Sequence, residues 1–128
     1  MIAVSDLMLT PVVGPEVISG STRLKAGTAT KLILNMLTTG AMIRLGKTYG
    51  NLMVDLRATN VKLIARTRRI VAKLTGISEA EAETELARCQ GDLKMAIVAV
   101  RKNVTPEVAR QLLSDANGQL RWALEAPL

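Results

Sequence analysis

The sequence predicts a mainly α-helical protein, and its composition carries much of that prediction. Hydrophobic residues make up 48% of the 128 residues, whereas aromatic residues make up only 2%. A core of leucine, isoleucine, valine, methionine and alanine favours packed helices over a β-sandwich, where aromatic residues are enriched. Helix-start and helix-stop residues also recur through the second half. The length suits about one domain with a modest core.

The first half is expected to contain an extended lead-in and one long helix of buried type. Residues 1–13 carry short apolar groups that fit an extended segment or an edge strand, because Pro11 argues against a central strand. The helix is predicted from Leu24 to about Leu45, with apolar residues nearly all round it, which predicts burial on most sides. Ser21 or Thr22 is expected to cap its first turn.

An amphipathic helix is predicted next, from about Leu52 to Leu74, and Thr75-Gly76 is expected to end it. A small helical bundle follows from about Gly76. Its helices are indicated by standard start and stop residues. These are the pair Ser78 and Glu81, Gly91-Asp92, Thr105-Pro106, Asn117-Gly118 and a last turn from Leu120 to Leu124.

Positive charge is concentrated in one region. The net charge is +6, and between Arg44 and Lys73 a single acid, Asp55, stands among the basic residues. At helical spacing one basic stripe is formed by Lys62, Arg66, Arg69 and Lys73. We interpret this stripe as a solvated face, or as an edge beside the acids Glu79, Glu81, Glu83 and Glu85. Nucleic acid is not expected as a partner, because stacking aromatic residues and a DNA-reading motif are both missing.

Several kinds of site are excluded by residue types. The chain contains no histidine and one cysteine, Cys89, which excludes a Cys-His nucleophile, a histidine-ligated metal site and an internal disulfide. No metal and no cofactor are expected. The apolar run from Leu32 to Ile43 is too short to cross a membrane. Because no signal peptide is recognisable, the protein is expected in the cytoplasm.

The stretch "PVVGPEVISGSTRLKAGTATKLILNMLTTGAMIRLGKTYGNLMVDLRATNVKL" resembles the C-terminal part of the N-acetylmuramic acid 6-phosphate etherase family. The later stretches "TGISEAEAETELARCQGDLKMAI" and "LRWAL" are similar to the helical tail of that family, which resembles a ubiquitin-associated (UBA) domain. The resemblance implies a remnant of a sugar isomerase (SIS) domain over residues 1–48, an amphipathic connecting helix over 49–75 and a UBA-like subdomain over 76–128. A longer SIS portion precedes this part in the family.

The activity that the resemblance implies is removal of D-lactate from N-acetylmuramic acid 6-phosphate, which leaves N-acetylglucosamine 6-phosphate in cell-wall sugar recycling. The family uses a glutamate as acid or base and no metal. Because those glutamates and the main phosphate loop belong to the preceding portion, no catalytic residue is expected here and the chain alone is expected to be inactive. Glu16 is the only acid near the "GPEVISGSTRLKAG" motif, and it is either a reacting group or a structural turn or cap.

Substrate-binding residues are predicted where the long helix begins. The resemblance places this start beside the sugar phosphate, and free N–H groups at a helix N-terminus favour an anion. Ser21 and Thr22 would donate hydroxyls, and Lys25 would reach a phosphate or sugar oxygen. The alternative is that the two hydroxyls only cap the helix and that Lys25 is solvated, as Lys31 is expected to be.

Three classes of function therefore remain open at the level of sequence. The first is the C-terminal portion of an etherase, with a phosphorylated amino sugar as ligand. The second is a stand-alone helical module for oligomerisation or protein binding. The third is a basic nucleic-acid binder. A homo-oligomer is expected in addition, because the apolar helix from Leu24 to Leu45 needs a surface against which to be buried.

Overall fold

The computed structural model describes residues 4–127, and the mainly α-helical prediction is confirmed. The chain forms two compact units, Met1–Ala41 and Met42–Leu128. The elements in chain order are α1 (Lys25–Arg44), β1 (Thr48–Tyr49), β2 (Leu52–Met53), α2 (Val61–Thr75), α3 (Glu79–Arg88), α4 (Leu93–Lys102), α5 (Pro106–Asp115) and α6 (Leu120–Glu125).

The first unit consists of an irregular segment and most of α1. No strand occurs among residues 4–24, so the edge-strand alternative is wrong for the described part of residues 1–13. The long helix lies within one residue of its predicted bounds. None of its residues is buried, however, because the irregular segment before it is the only other described part of this unit. Among the described residues, α1 therefore lacks the burial on most sides that its composition predicts.

The predicted start of the amphipathic helix is wrong. A short hairpin pairs Thr48 with Met53 and Tyr49 with Leu52, and α2 begins only at Val61. Gly50 permits the turn between the two strands because its φ is +57°. Asn60 then accepts a hydrogen bond from the backbone N–H of Leu63 and caps α2. The predicted end is confirmed, since Gly76 is the left-handed C-cap.

The predicted helix signals of the tail are confirmed. Ser78 and Glu81 form the reciprocal capping box of α3, Asp92 caps α4, and Thr105 caps α5 with Pro106 at its first position. The last turn is present as α6. These helices pack around α4, most of whose residues are buried. The hairpin joins the same core through Val54, which is 1% exposed.

One polar network ties the hairpin to the helices. The carboxylate of Asp55 lies 2.8 Å from Lys47 Nζ and 3.1 Å from Lys94 Nζ. Lys94 also donates to the carbonyl of Gly118. The hydrogen bond from Lys47, with a smaller contribution from Lys94, lowers the pKa of Asp55 below its usual value. Asp55, the single acid of the basic region, thus links the hairpin region to α4 within the second unit.

Candidate functional site

The three predicted substrate-binding residues lie in the turn before α1 and at its first position. Gly20 has a φ of +84°, and the N–H of Ser21 donates to the carbonyl of Ile18 over 3.0 Å. Thr22 and Lys25 are exposed, and Ser21 is partly buried. The structure therefore places the two hydroxyls and the ammonium group within one short segment, residues 21–25.

The cap of α1 is not the one that the sequence predicts. The carboxylate of Glu16 accepts hydrogen bonds from the backbone N–H of Lys25 over 2.9 Å and from that of Ala26 over 3.0 Å. The hydroxyls of Ser21 and Thr22 form no hydrogen bond with the described residues, so their predicted capping role is wrong. A carboxylate suits this place better than a hydroxyl because it carries full negative charge and offers two oxygens to the positive end of the helix dipole.

The Glu16 carboxylate responds to this environment. Its pKa is lowered from the usual value, first by the hydrogen bond from the Ala26 backbone and then by that from Lys25. The ammonium group of Lys25 adds a smaller attraction, while it donates to the carbonyl of Pro15 over 2.9 Å. Of the two alternatives for Glu16, the structure shows the capping geometry.

The first turn of α1 consequently has fewer donors to offer an anion than the sequence suggests. The N–H groups of Lys25 and Ala26 are bound by Glu16, and that of Gly27 donates to the carbonyl of Thr22 over 2.9 Å. The N–H of Thr28 is bound to the carbonyl of Leu24. An anion in this segment would therefore meet the hydroxyls and the lysine charge rather than open helix amides.

An apolar depression adjoins this segment within the first unit. It is lined by Val13, Leu24, Lys25, Thr28, Ala29 and Leu32. Lys25 is one of the lining residues and thus belongs to both the polar turn and the apolar surface. Such a neighbourhood offers one cation and two hydroxyls beside a nonpolar wall, a combination suited to an anionic ligand that also carries carbon surface.

The other chemically notable residues lie in the second unit and do not form a metal or nucleophile site. Cys89 is fully buried, and burial is the main cause that raises the pKa of its thiol to about 11, so the neutral thiol prevails at pH 7. Among the described residues, no group of three or more acidic or cysteine side chains is placed to hold a metal ion.

The basic stripe of α2 is exposed. Lys62, Arg66, Arg69 and Lys73 form no ion pair with the described residues. The contact between α2 and the acids of α3 is made instead by Arg68, whose Nη1 lies 2.9 Å from Glu83 Oε2. The interpretation as a solvated face fits these four residues. The acidic side chain of Glu83 instead pairs with a fifth basic residue, Arg68, which the periodicity did not single out.

Comparison with known proteins gives this arrangement a context. A family model described as the C-terminal lid domain of glucokinase regulatory protein matches residues 50–105. A Rhodopirellula baltica protein named N-acetylmuramic acid 6-phosphate etherase is 58% identical over 123 residues. Proteins of the same name from Photobacterium profundum and Yersinia pestis are 56% identical over 126 residues and 55% identical over 120 residues.

These matches cover 96%, 98% and 94% of this chain but only 41%, 42% and 41% of the respective relatives. The chain therefore spans about two fifths of the length of the curated relatives it matches, and it corresponds to their C-terminal portion. The resemblance drawn from the sequence is confirmed. No helix among residues 4–127 is long and apolar enough to cross a membrane.

Proposed function

We propose that this chain, which corresponds to the C-terminal portion of N-acetylmuramic acid 6-phosphate etherases, forms that portion of such an enzyme. The carrying observation is the 58% identity over 123 residues to a relative of that name. The reaction would be the removal of D-lactate from the phosphorylated amino sugar. The chain would help to bind this sugar, while the preceding portion supplies the acid, the base and the main phosphate loop.

The proposed division of labour follows the three parts expected from the sequence. Residues 1–48 would complete the SIS domain, residues 49–75 would connect, and residues 76–128 would form the UBA-like subdomain. A buried free cysteine at position 89 is compatible with the reducing cytoplasm, where we place the protein.

Ser21, Thr22 and Lys25 would contact the sugar phosphate. The two hydroxyls are not used by the described residues, and the ammonium group of Lys25 has donors left after its hydrogen bond to the carbonyl of Pro15. Glu16 would hold the turn in place through its bonds to Lys25 and Ala26, so that the hydroxyls are positioned before the ligand arrives. Glu16 would thus be a positioning residue in this portion.

Enzyme assay of a chimera tests this proposal. The 128-residue chain alone is expected to release no D-lactate above a no-protein control, because a C–O elimination needs a positioned acid and base. Joined to the preceding portion of the Rhodopirellula baltica relative, it is expected to release D-lactate. The relative's own full-length protein is the control for assay and folding. Activity of the chain alone, or a folded chimera without activity beside an active control, would contradict the proposal.

Substitutions in the chimera test the binding residues. Ser21→Ala combined with Thr22→Ala, and Lys25→Ala, are expected to raise KM by about tenfold or more, since a charge-assisted hydrogen bond contributes on the order of 1.5–3 kcal/mol. Lys73→Ala, on the stripe of α2, is the matched control and should leave KM unchanged. If Lys25→Ala and Lys73→Ala raise KM equally, the sugar phosphate responds to general positive charge and not to a local site.

A second function, oligomerisation, is favoured by the exposed apolar surface of α1. Leu34 and Leu37 each expose 56% of their surface, and Met36 exposes 65%. At about 25 cal/mol/Å², a few hundred Å² of such surface would contribute several kcal/mol to association. We therefore propose a homo-oligomer through α1. Leu34→Lys with Leu37→Lys should give a monomer in sedimentation, whereas a monomeric parent chain at high micromolar concentration would contradict the proposal.

A further inference from the structure

The apolar depression beside the polar turn follows one face of α1. Four of the residues that line it are spaced by three or four positions and therefore share one side of the helix. They are Lys25, Thr28, Ala29 and Leu32. The side chains of Val13 and Leu24 complete the lining. The depression is thus charged where α1 begins and mostly apolar along the following part of the helix.

Thr28 places a hydroxyl in this depression that the fold does not use. The hydroxyls of two other threonines in α1, Thr30 and Thr38, donate to backbone carbonyls one turn earlier over 2.9 Å. The hydroxyl of Thr28 forms no hydrogen bond with any residue in the range 4–127, and the residue is exposed. Such a hydroxyl has one donor and two acceptor positions to offer a ligand.

The charge in the depression indicates what kind of ligand fits it. Lys25 is the only charged residue among the described residues that line it, and its ammonium group is tied to the carbonyl of Pro15. One cation beside an apolar surface favours a ligand with one anionic group and a neutral remainder. In the function proposed above, the anionic group is the phosphate of the amino sugar. A neutral substituent of the same sugar therefore suits the remaining surface.

The spacing along α1 indicates which substituent this is. At a rise of about 1.5 Å per residue, Thr28 and Ala29 lie about 4.5–6 Å further along the helix axis than Lys25. The phosphate at C6 and the acetamido group at C2 lie on opposite sides of the sugar ring, so a ring laid along the helix brings the acetamido group to this pair. The D-lactyl ether carries a further negative charge, for which the lining offers no second cation.

We propose that this depression is the subsite for the acetamido group of the phosphorylated amino sugar and that Thr28 determines the preference for that group. The hydroxyl of Thr28 donates to the acetamido carbonyl. The small side chain of Ala29 leaves room for the acetamido methyl group, which contacts Val13 and Leu32. The assignment rests on the phosphate binding proposed above for residues 21–25, because the phosphate fixes the end from which the ring extends.

Two sugar phosphates that differ at C2 test the subsite in the 128-residue chain. In NMR titrations, N-acetylglucosamine 6-phosphate is expected to bind about fivefold more tightly than glucose 6-phosphate, which lacks the acetamido group. Thr28→Val keeps the shape of the side chain without its hydroxyl, and Ala29→Leu fills the depression. Each should remove most of this preference by weakening the acetylated sugar alone. Thr39→Val, an exposed threonine of α1 outside the depression, is the matched control and should keep the preference.

The outcomes separate the subsite from the phosphate site. Equal affinity of the unsubstituted chain for the two sugars, with Lys25→Ala weakening both, would overturn the subsite and leave the phosphate site in place. Binding of neither sugar would contradict the phosphate site and the subsite with it.

The chimera with the preceding portion of the Rhodopirellula baltica relative provides a second readout. Thr28→Val is expected to raise its KM several-fold at unchanged kcat, because the contact to the acetamido group is the same in the ground state and the transition state. Thr39→Val should leave KM unchanged. An active chimera whose KM is unaffected by both Thr28→Val and Ala29→Leu would overturn the proposal, since this face of α1 would then lie outside the site.

Discussion

The Glu16 carboxylate and the backbone N–H of Lys25 form a hydrogen bond of 2.9 Å across nine residues of sequence. A second bond, from the N–H of Ala26, makes the same side chain the cap of α1. The "GPEVISGSTRLKAG" motif is thereby closed into a loop. Its hydroxyls are left available because an acid from its own start satisfies the helix end.

Glu16→Gln is expected to loosen the first turn of α1. The amide keeps the shape of the side chain but loses the charge and one acceptor oxygen, so at least one N–H of Lys25 and Ala26 is left without its partner. Hydrogen exchange at these two amides should become several-fold faster, while exchange in α4 stays unchanged. Asp6→Asn, an exposed acid of the same unit, is the matched control. If Asp6→Asn accelerates exchange at these two amides as much as Glu16→Gln does, loss of the cap is not the cause of the faster exchange.

The cap should also depend on pH in a defined direction. The hydrogen bonds from Ala26 and Lys25 lower the pKa of Glu16 in the folded chain below its usual 4.5. The stabilisation is therefore fully present above pH 4.5 and is lost as the pH falls through the lower folded value. In an acid titration followed by NMR, the amide shifts of Lys25 and Ala26 should change with a midpoint below 4.5. A midpoint at or above 4.5 would contradict the cap in solution.

Anion binding by the isolated chain is expected to be weak and local. N-acetylglucosamine 6-phosphate or sulfate should shift the amides of residues 20–24 more than those of the helical tail, with a Kd on the order of millimolar, or about 4 kcal/mol. The N–H groups of Lys25 and Ala26 should respond less than their position at the helix end suggests, because Glu16 binds them. Lys25→Ala should weaken the effect and Lys73→Ala should not. Largest shifts along α2 would indicate a response to general charge.

Gly46→Ala is expected to destabilise the second unit. Gly46 has a φ of +70°, and a Cβ there would lie 2.8 Å from two atoms of the Gln119 side chain, which itself donates to the carbonyl of Arg44. The left-handed backbone alone costs about 1–2 kcal/mol for a residue with a side chain. Gly50→Ala, with φ of +57° and open space around it, is the control that carries only this backbone effect.

Urea denaturation should show that Gly46→Ala lowers the free energy of unfolding more than Gly50→Ala does. Gln119→Ala in the same background should remove the difference between the two glycine variants, since the clash and the hydrogen bond both belong to Gln119. If Gly46→Ala and Gly50→Ala lose equal stability, the close approach of Gln119 is unimportant in solution.

Local chemistry explains where the sequence predicted the fold well. The tail helices begin and end where Ser78, Asp92 and Thr105 cap them and Gly76 stops α2, because these residues act on backbone groups only a few positions away. The start of α2 was missed for the converse reason. Leu52 and Met53 fit a helical period as well as a strand, and only their pairing with Tyr49 and Thr48 decides between the two.

The candidate site divides in the same way. The sequence by itself determined which residues carry hydroxyls and charge before α1, and that no histidine chemistry is possible. Only the tertiary structure decided that Glu16, nine residues before Lys25, is the cap, because a hydrogen bond across a loop depends on how the loop closes. It likewise decided that α1 has no buried residue and that Trp122 is 55% exposed. Composition determines whether a surface is apolar, whereas its burial depends on whether another surface packs against it.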